Sequence, residues 1–394
     1  MTVPFSPPDI TEADIEAVTK VLRSGWLTTG PVCAEFEAIL TAYTAAAGTI
    51  VLNSATAALE LALHFLGIGP GDEVIVPAYT YTATASAVLH CGAKPIMVDI
   101  EEDSFNLNTD LVAKAITAHT KAIIPVDVAG LPCNYRQLFK IAHEHKNIFK
   151  AANNRQEVLG RIAIIADAAH SLGATYQGQP SGSYADLTAF SFHAVKNLTT
   201  AEGGALQISK VALKYWPNFY RELRLLSMHG QTKSALEKQT GWEYDIELAG
   251  YKCNLTDIAA ALGLSQLNRY PAILAKRKAA ALHYNGSFNE SVFILPLLSN
   301  DGNESSYHLY LLRLQNYTEE KRNILISRLR AQGIAANVHY QPLPSLTLYK
   351  NLGYNPNHYP VAYHNYNRVI SLPLFNNISP QQLDYVSKTL KQLA

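Results

Sequence analysis

The chain has 394 residues, 48% of them hydrophobic and 16% charged, with 32 basic residues balancing 32 acidic ones. That length suits two or three domains, and the apolar content fills sizeable cores. A formal net charge of zero excludes the basic face that non-specific nucleic-acid binding needs, but not a local pocket for a phosphorylated small molecule.

The amino terminus, MTVPFSPPDI, lacks a basic segment followed by an apolar run, and no apolar stretch is long enough to span a bilayer. Thr11–Glu12–Ala13–Asp14 forms a capping-box pattern, with Ile15, Val18 and Leu22 at helical spacing and Gly25 at the end. A polar turn, WLTTGP, precedes a second helical pattern from Val32 to Tyr43. Strands and helices then alternate. Strands are expected at Ile50–Leu52, Glu73–Pro77, Pro95–Ile100, Ala122–Val128 and Ile162–Asp167. Helices are expected at Ala57–Leu66, Thr82–His90, Leu111–Ala118 and Tyr135–His143. The strands are apolar throughout, as in a parallel sheet covered on both faces. The polar stretch Lys140–Gly160 reads as a surface excursion.

Beyond residue 207 the rhythm changes to long helices at Thr256–Leu267 and Ala272–Tyr284. A mixed tail follows, with Tyr307–Leu314, Lys321–Gln332 and Gln381–Leu393. The expected division is a large α/β domain over 1–250 and a smaller α+β domain over 251–394. Cys33, Cys91, Cys133 and Cys253 are widely spaced. They form no C-x-x-C pair and suit reduced thiols in a cytoplasmic protein, with no metal site. Dinucleotide, P-loop, serine-hydrolase and zinc-protease fingerprints are absent from the sequence.

Four segments bear chemistry at the carboxyl ends of the expected strands, where open α/β sheets bind ligands. In NSATAALEL, a strand end passes through small hydroxyl residues into a helix, so Ser54, Ala55 and Thr56 suit an anion; Ser54 also reads as a plain N-cap. In AYTYTATA, the Tyr81 ring suits stacking on a planar cofactor, or else core packing. In IIADAAHS, Asp167 ends a buried strand and needs a partner or a ligand. An aspartate facing a pyridine nitrogen keeps it protonated and makes the ring an electron sink. In SFHAVKNLTTAEGGAL, Lys196 lies among apolar and small residues, where desolvation lowers an amine's pKa and makes it a nucleophile toward aldehydes. Ser191 adds a hydroxyl for the phosphate.

Together SGWLTTGP, NSATAALELAL, GDEVIVPAYTYTATASAV, DAAHSLGATYQG, SFHAVKNLTTAEGGAL and GYKCNLTDIAAALGLSQL resemble the motif series of the DegT/DnrJ/StrS family. Its members are nucleotide-sugar aminotransferases that depend on pyridoxal 5'-phosphate (PLP). The resemblance runs from about Pro4 to the carboxyl end. It implies the aspartate aminotransferase-like fold, PLP-dependent transferase fold type I: a large, mainly parallel sheet domain and a smaller α+β domain. It also implies that Lys196 is the Schiff-base lysine and proton carrier, that Asp167 pairs with the pyridine nitrogen and that Tyr81 stacks on the ring. His170 would lie near the phenolic oxygen, and Ala55, Thr56 and Ser191 would hold the phosphate. Asn254 would reach the phosphate of the neighbouring subunit, in a homodimer with shared active sites. Candidates for the sugar and nucleotide pockets are Trp26, Thr28, Thr29, His193, His229, His308, His339 and Tyr340.

The resemblance implies amino transfer from L-glutamate, leaving 2-oxoglutarate, to a keto sugar on UDP or dTDP. SGWLTTGP and SFHAVKNLTTAEGG are most similar to members aminating the 4-keto position for lipopolysaccharide or capsule sugars. A 3-keto sugar nucleotide and scyllo-inosose are the alternative acceptors, and a non-catalytic PLP-binding sensor is the alternative class. A sugar dehydratase of this fold has histidine in place of Lys196. Two departures stand out: Ala166 where many members have Glu, and the length of Lys140–Gly160.

Overall fold

The computed structural model of the protein describes residues 1–233, 242–288, 291–300 and 302–394. Its centre is a seven-stranded sheet. The strands are β1 (Gly48–Leu52), β2 (Glu73–Pro77), β3 (Lys94–Val98), β4 (Thr120–Ile123) and β5 (Ala163–Asp167). The short β6 (Thr175–Tyr176) and β7 (Gln179–Pro180) follow outside this sheet, and β8 (Leu187–Ser191) and β9 (Gly204–Ile208) complete it. The spatial order is β1-β9-β8-β5-β4-β2-β3. β9 pairs antiparallel with both β1 and β8, while the other pairs are parallel. Every residue of β5 and β9 is buried, which is why their sequences do not alternate.

Nine helices of the described residues accompany this sheet: α1 (Glu12–Ser24), α2 (Pro31–Thr44), α3 (Ala55–Phe65), α4 (Ala83–His90), α5 (Thr109–Ala115), α6 (Tyr135–Glu144), α7 (Asn154–Leu159), α8 (Phe219–Ser227) and α9 (Asp257–Asn268). The capping box of α1 forms as the sequence predicts, with Gly25 at φ 73° ending the helix. Arg269, just past α9, pairs at 2.7 Å with both Asp9 and Asp14, tying α9 to α1.

The rest of the chain builds a second core. α10 (Tyr270–Ser287) leads to β10 (Phe293–Ile294), then β11 (Ser299–Asn300), β12 (Asn303–Glu304) and β13 (Tyr310–Leu314). α11 (Glu319–Ala331), α12 (Thr347–Asn351), α13 (Pro360–Arg368), β14 (Val369–Leu372) and α14 (Pro380–Leu393) follow. The antiparallel sheet β10-β13-β14 packs Tyr310, Leu312 and Ile370 against Tyr284, Leu329 and Val386. β11 and β12 instead extend β6 and β7 into a four-stranded ribbon.

Two expected strands are shorter than their apolar runs. The β4 ladder stops at Ile123; the chain continues to Val126, which bridges Asp167, and then turns through Val128–Gly130. β13 starts only at Tyr310, because Tyr307 takes a left-handed φ of 56°, which no strand accommodates. The polar 140–160 stretch docks at the end of α3. Asn153 and Gln156 donate to Leu66 O at 2.9 and 3.0 Å, and Arg155 donates to Phe65 O at 2.8 Å. These side chains satisfy carbonyls that a helix terminus leaves without partners.

Candidate active site

A cavity of about 380 Å³ opens at the carboxyl ends of β1, β2, β5 and β8. The α3 amino terminus forms one wall. Ser54 Oγ accepts from Ala57 N–H at 3.1 Å, so the N-cap reading of Ser54 is correct. Ser54, Ala55, Thr56 and Ser191 all line the cavity. The Gly203–Gly204 pair explains the closeness of this wall. A Cβ on Gly204 would lie 2.5 Å from Ala55 N, so only glycine lets β9 meet the helix start.

Asp167 ends β5, and each of its carboxylate oxygens accepts one hydrogen bond. Thr84 Oγ1 donates to Oδ2 at 2.7 Å, and Ala169 N–H donates to Oδ1 at 3.2 Å. Burial raises its pKa, while those two hydrogen bonds and the Lys196 charge lower it. Lys196 sits in the turn between β8 and β9 and lines the same cavity. Burial pulls its amine down to about 8, with Asp167 acting in the opposite direction. Tyr81 lines the cavity although 61% exposed. A large aromatic left this open is not core packing, and its ring is accessible from the cavity.

His170 carries an assignable proton. Its Nδ1 accepts Ala129 N–H at 3.3 Å, so the neutral ring is protonated at Nε2, which donates to Tyr340 Oη at 3.0 Å. Burial, with Lys196 and His339 adding to it, pushes its pKa well below the usual histidine value. His339 also lines the cavity, stacked on Phe5 at 5.4 Å and in hydrogen-bond contact with Ser371 Oγ at 2.8 Å. Burial brings its pKa to about 4. His193 stands at the rim beside Glu202, at 3.6 Å.

The remaining sequence candidates lie elsewhere. His308 is buried behind the cavity, its ring 4.4 Å from that of His170 and its Nδ1 3.0 Å from Asn197 Oδ1. Trp26, Thr28, Thr29 and Asn254 gather where α2 and α9 begin. Asn254 Nδ2 donates to Thr29 Oγ1 at 2.6 Å, Trp26 Nε1 to Thr29 O at 3.4 Å, and Asp257 N to Thr28 O at 3.2 Å. Exposed His229 has a left-handed φ of 61° and donates its N–H to Tyr251 O at 2.8 Å. Sequence reasoning missed Thr84, one helical turn beyond Tyr81. It also missed Asp127 and Ala129, whose parts depend on contacts distant in the chain.

The donor set suits a phosphorylated pyridine aldehyde. It combines a helix start with hydroxyls, a pinned carboxylate, an open aromatic face and a desolvated amine. Comparison with known proteins decides the matter: the profile of the DegT/DnrJ/EryC1/StrS aminotransferase family matches residues 8–391. The chain belongs to that family. The DegT/DnrJ/EryC1/StrS members are PLP-dependent sugar aminotransferases, and so is this chain, with PLP as its cofactor. It is similar to Spr1654 of Streptococcus pneumoniae, described as a sugar aminotransferase and solved in PLP and PMP forms. The PMP form shows 50% identity and a TM-score of 0.96, covering 100% of this chain and 98% of that one. The Bacillus subtilis spore coat polysaccharide biosynthesis protein SpsC is 34% identical, over 99% of this chain and 97% of its own. The Shewanella sediminis UDP-4-amino-4-deoxy-L-arabinose–oxoglutarate aminotransferase is also 34% identical, over 99% and 98%. Among the described residues, no helix is long and apolar enough to cross a membrane.

Proposed function

We propose that this aminotransferase moves an amino group from L-glutamate to a 4-keto sugar carried on UDP or dTDP, giving a 4-amino sugar nucleotide for surface-glycan biosynthesis. The observation carrying the site assignment is the convergence of Lys196, Asp167, Tyr81 and the α3 start on one cavity. Likeness to the Shewanella arabinose enzyme supports the 4-keto position and the glutamate donor.

PLP, when bound, supplies the aldehyde that captures the amino group and the ring that stabilises the developing carbanion. Ala55, Thr56 and Ser191 hold its phosphate, and Asp167 faces its ring nitrogen, with the hydrogen bonds from Thr84 and Ala169 N–H favouring its charged form against a burial that raises its pKa. Tyr81 covers the ring. Lys196 Nζ, neutral above about pH 8, takes the proton that leaves the donor's α-carbon. In the return half-reaction it delivers a proton to the sugar carbon being aminated. His193, His339 and Tyr340 present polar groups to the substrate from the cavity wall. The chain acts as a homodimer in which Asn254, with Trp26, Thr28, Thr29 and His229, serves the partner's site. This accounts for their distance from the cavity of their own subunit. The large domain covers 1–250 and the small one 251–394, with α9 packing back onto α1 and α2. Four free, buried cysteines fit a cytoplasmic setting.

The test is the absorbance of the PLP-loaded protein, first with glutamate and then with UDP- and dTDP-4-keto-6-deoxy sugars. Bleaching by glutamate and recovery with one keto sugar is the expected result. Bleaching without recovery would reject these acceptors, and no response to glutamate would reject the donor.

A further inference from the structure

Asp127 lies outside the cavity, fully buried where β4 gives way to the turn at Val128–Gly130. Four donors converge on its carboxylate. Cys133 N–H and Tyr135 Oη reach Oδ1, each at 2.9 Å; Ser171 Oγ at 2.7 Å and Tyr184 Oη at 3.3 Å reach Oδ2. Its own N–H donates to Asp167 O at 3.2 Å. The side chain thus ties Ser171, the residue after His170, to Cys133 N–H just beyond the turn that faces His170, while the main chain of the same residue bonds Asp167 O and Gly130 N–H.

That turn has an unusual conformation. Ala129 is left-handed, at φ 57° and ψ 5°, which aims its N–H at His170 Nδ1. Gly130 N–H donates back to Asp127 O at 3.0 Å. A Cβ on Gly130 would lie 3.0 Å from His170 O, so the turn is pressed directly against the histidine. The direction of the hydrogen bonds is then fixed. Ala129 donates to His170, and His170 donates to Tyr340. The Tyr340 oxygen accepts, and no acceptor among the described residues takes its proton. Tyr340 lines the cavity.

We propose that Asp127 is a positioning residue: by anchoring the 128–130 turn and Ser171 it holds His170 as the Nε2–H tautomer, which leaves Tyr340 to donate its own proton to an oxygen of the bound cofactor or sugar. This rests on the aminotransferase reading of the cavity and adds to it a donor whose direction is set from outside the site.

The experiment is nitrogen NMR of histidine side chains in the PLP-loaded full chain, with H170Q identifying the His170 signals. The wild type shows a single Nε2–H tautomer. In Y340F that tautomer persists, because it is imposed from the Ala129 side. In D127N the amide offers one acceptor oxygen and brings N–H groups against four donors; a second tautomer appears and kcat/KM falls about tenfold, the worth of one net hydrogen bond. A folded D127N with an unchanged tautomer overturns the proposal. So does a Y340F variant in which the tautomer switches, and that arm stands even if D127N does not fold. Y340F also locates the acceptor. A shifted absorbance of bound PLP places it on the cofactor, and a raised KM for the keto sugar alone places it on the sugar. If both the absorbance and the KM stay as in the wild type, the donor role is overturned. Bleaching by glutamate is recorded on every variant, so loss of the parent reading shows itself separately.

Discussion

Thr84 Oγ1 donates to Asp167 Oδ2 at 2.7 Å, from the first turn of α4 to the end of β5. This bond lowers the pKa of a carboxyl group that burial raises. T84V keeps the shape and removes the donor, so the Asp167 pKa moves up and the acid limb of the kcat/KM profile moves to higher pH. A loss of about tenfold in kcat/KM at neutral pH is expected. A pH–rate profile identical to that of the wild type would show that Thr84 serves packing alone.

Lys196 gives a prediction in the absence of cofactor. Its folded-state pKa, about 8, lies below the ordinary 10.5 because of burial. Between those values the unfolded chain binds more protons than the folded one, so stability rises with pH across that window, and the full penalty applies below pH 8. K196M removes the penalty. Cofactor-free K196M should exceed the wild type by about 1–3 kcal/mol at pH 7, with the gap closing toward pH 10. Denaturant melts at the two pH values measure it. The same variant should lose at least about a thousandfold in turnover, the scale of a missing acid–base group. Substantial turnover would remove Lys196 from the proton-carrier role.

Local sequence carried much of this site. Asp167, Tyr81 and Ser54 sit at or next to strand or helix ends and Lys196 in the turn between two strands, where a short segment reveals both burial and chemistry, and all four line one cavity. Five of the seven core strands were legible for the same reason, being continuous apolar runs, whereas β8 and β9, on either side of the Lys196 turn, were not expected. β9 also runs antiparallel to both its neighbours, which no local pattern in GALQI reveals. The tautomer of His170 was not legible either, since it depends on Ala129, 41 residues away in sequence, adopting a left-handed turn. His308 shows the opposite failure. A histidine in sequence suggests a ligand contact, but folding puts this one behind His170, paired with Asn197 across 111 residues.

Gly204 tests the anion wall. Its missing Cβ would overlap the backbone of Ser54 and Ala55, which cannot move as a flexible side chain does. G204A should push the α3 start outward and weaken PLP binding about tenfold or more, since helix-end donors act only at close range. Equilibrium dialysis or fluorescence titration with PLP measures this. Unchanged affinity would place the phosphate elsewhere.

Arg161 and Asp186 form a buried two-point pair, both bonds 2.7 Å, and Asp186 Oδ2 also accepts Ile164 N–H at 2.9 Å. R161M strands a buried carboxylate and should cost about 3–5 kcal/mol. R161M/D186N keeps an acceptor for Ile164 without the charge and should recover more than half of that loss. If the double variant were no better than R161M, the cost would come from lost arginine packing, including its contact over the Phe139 ring at 4.9 Å.

The shared-site dimer makes the most direct prediction. Asn254 bridges Leu52 and hydrogen-bonds Thr29, but does not line the cavity that holds Lys196 in the same subunit. If Asn254 completes the partner's phosphate site, N254A and K196A damage opposite subunits' contributions to one site. Each variant alone should be nearly inactive at limiting PLP. Unfolded together and refolded as a mixture, they form mixed dimers in which one of the two sites is intact, so activity should return to about a quarter of wild type. Recovery that follows the mixing ratio establishes sharing. No recovery from two separately well-folded variants would confine each site to one subunit and leave Asn254 as the helix-start residue its local contacts describe.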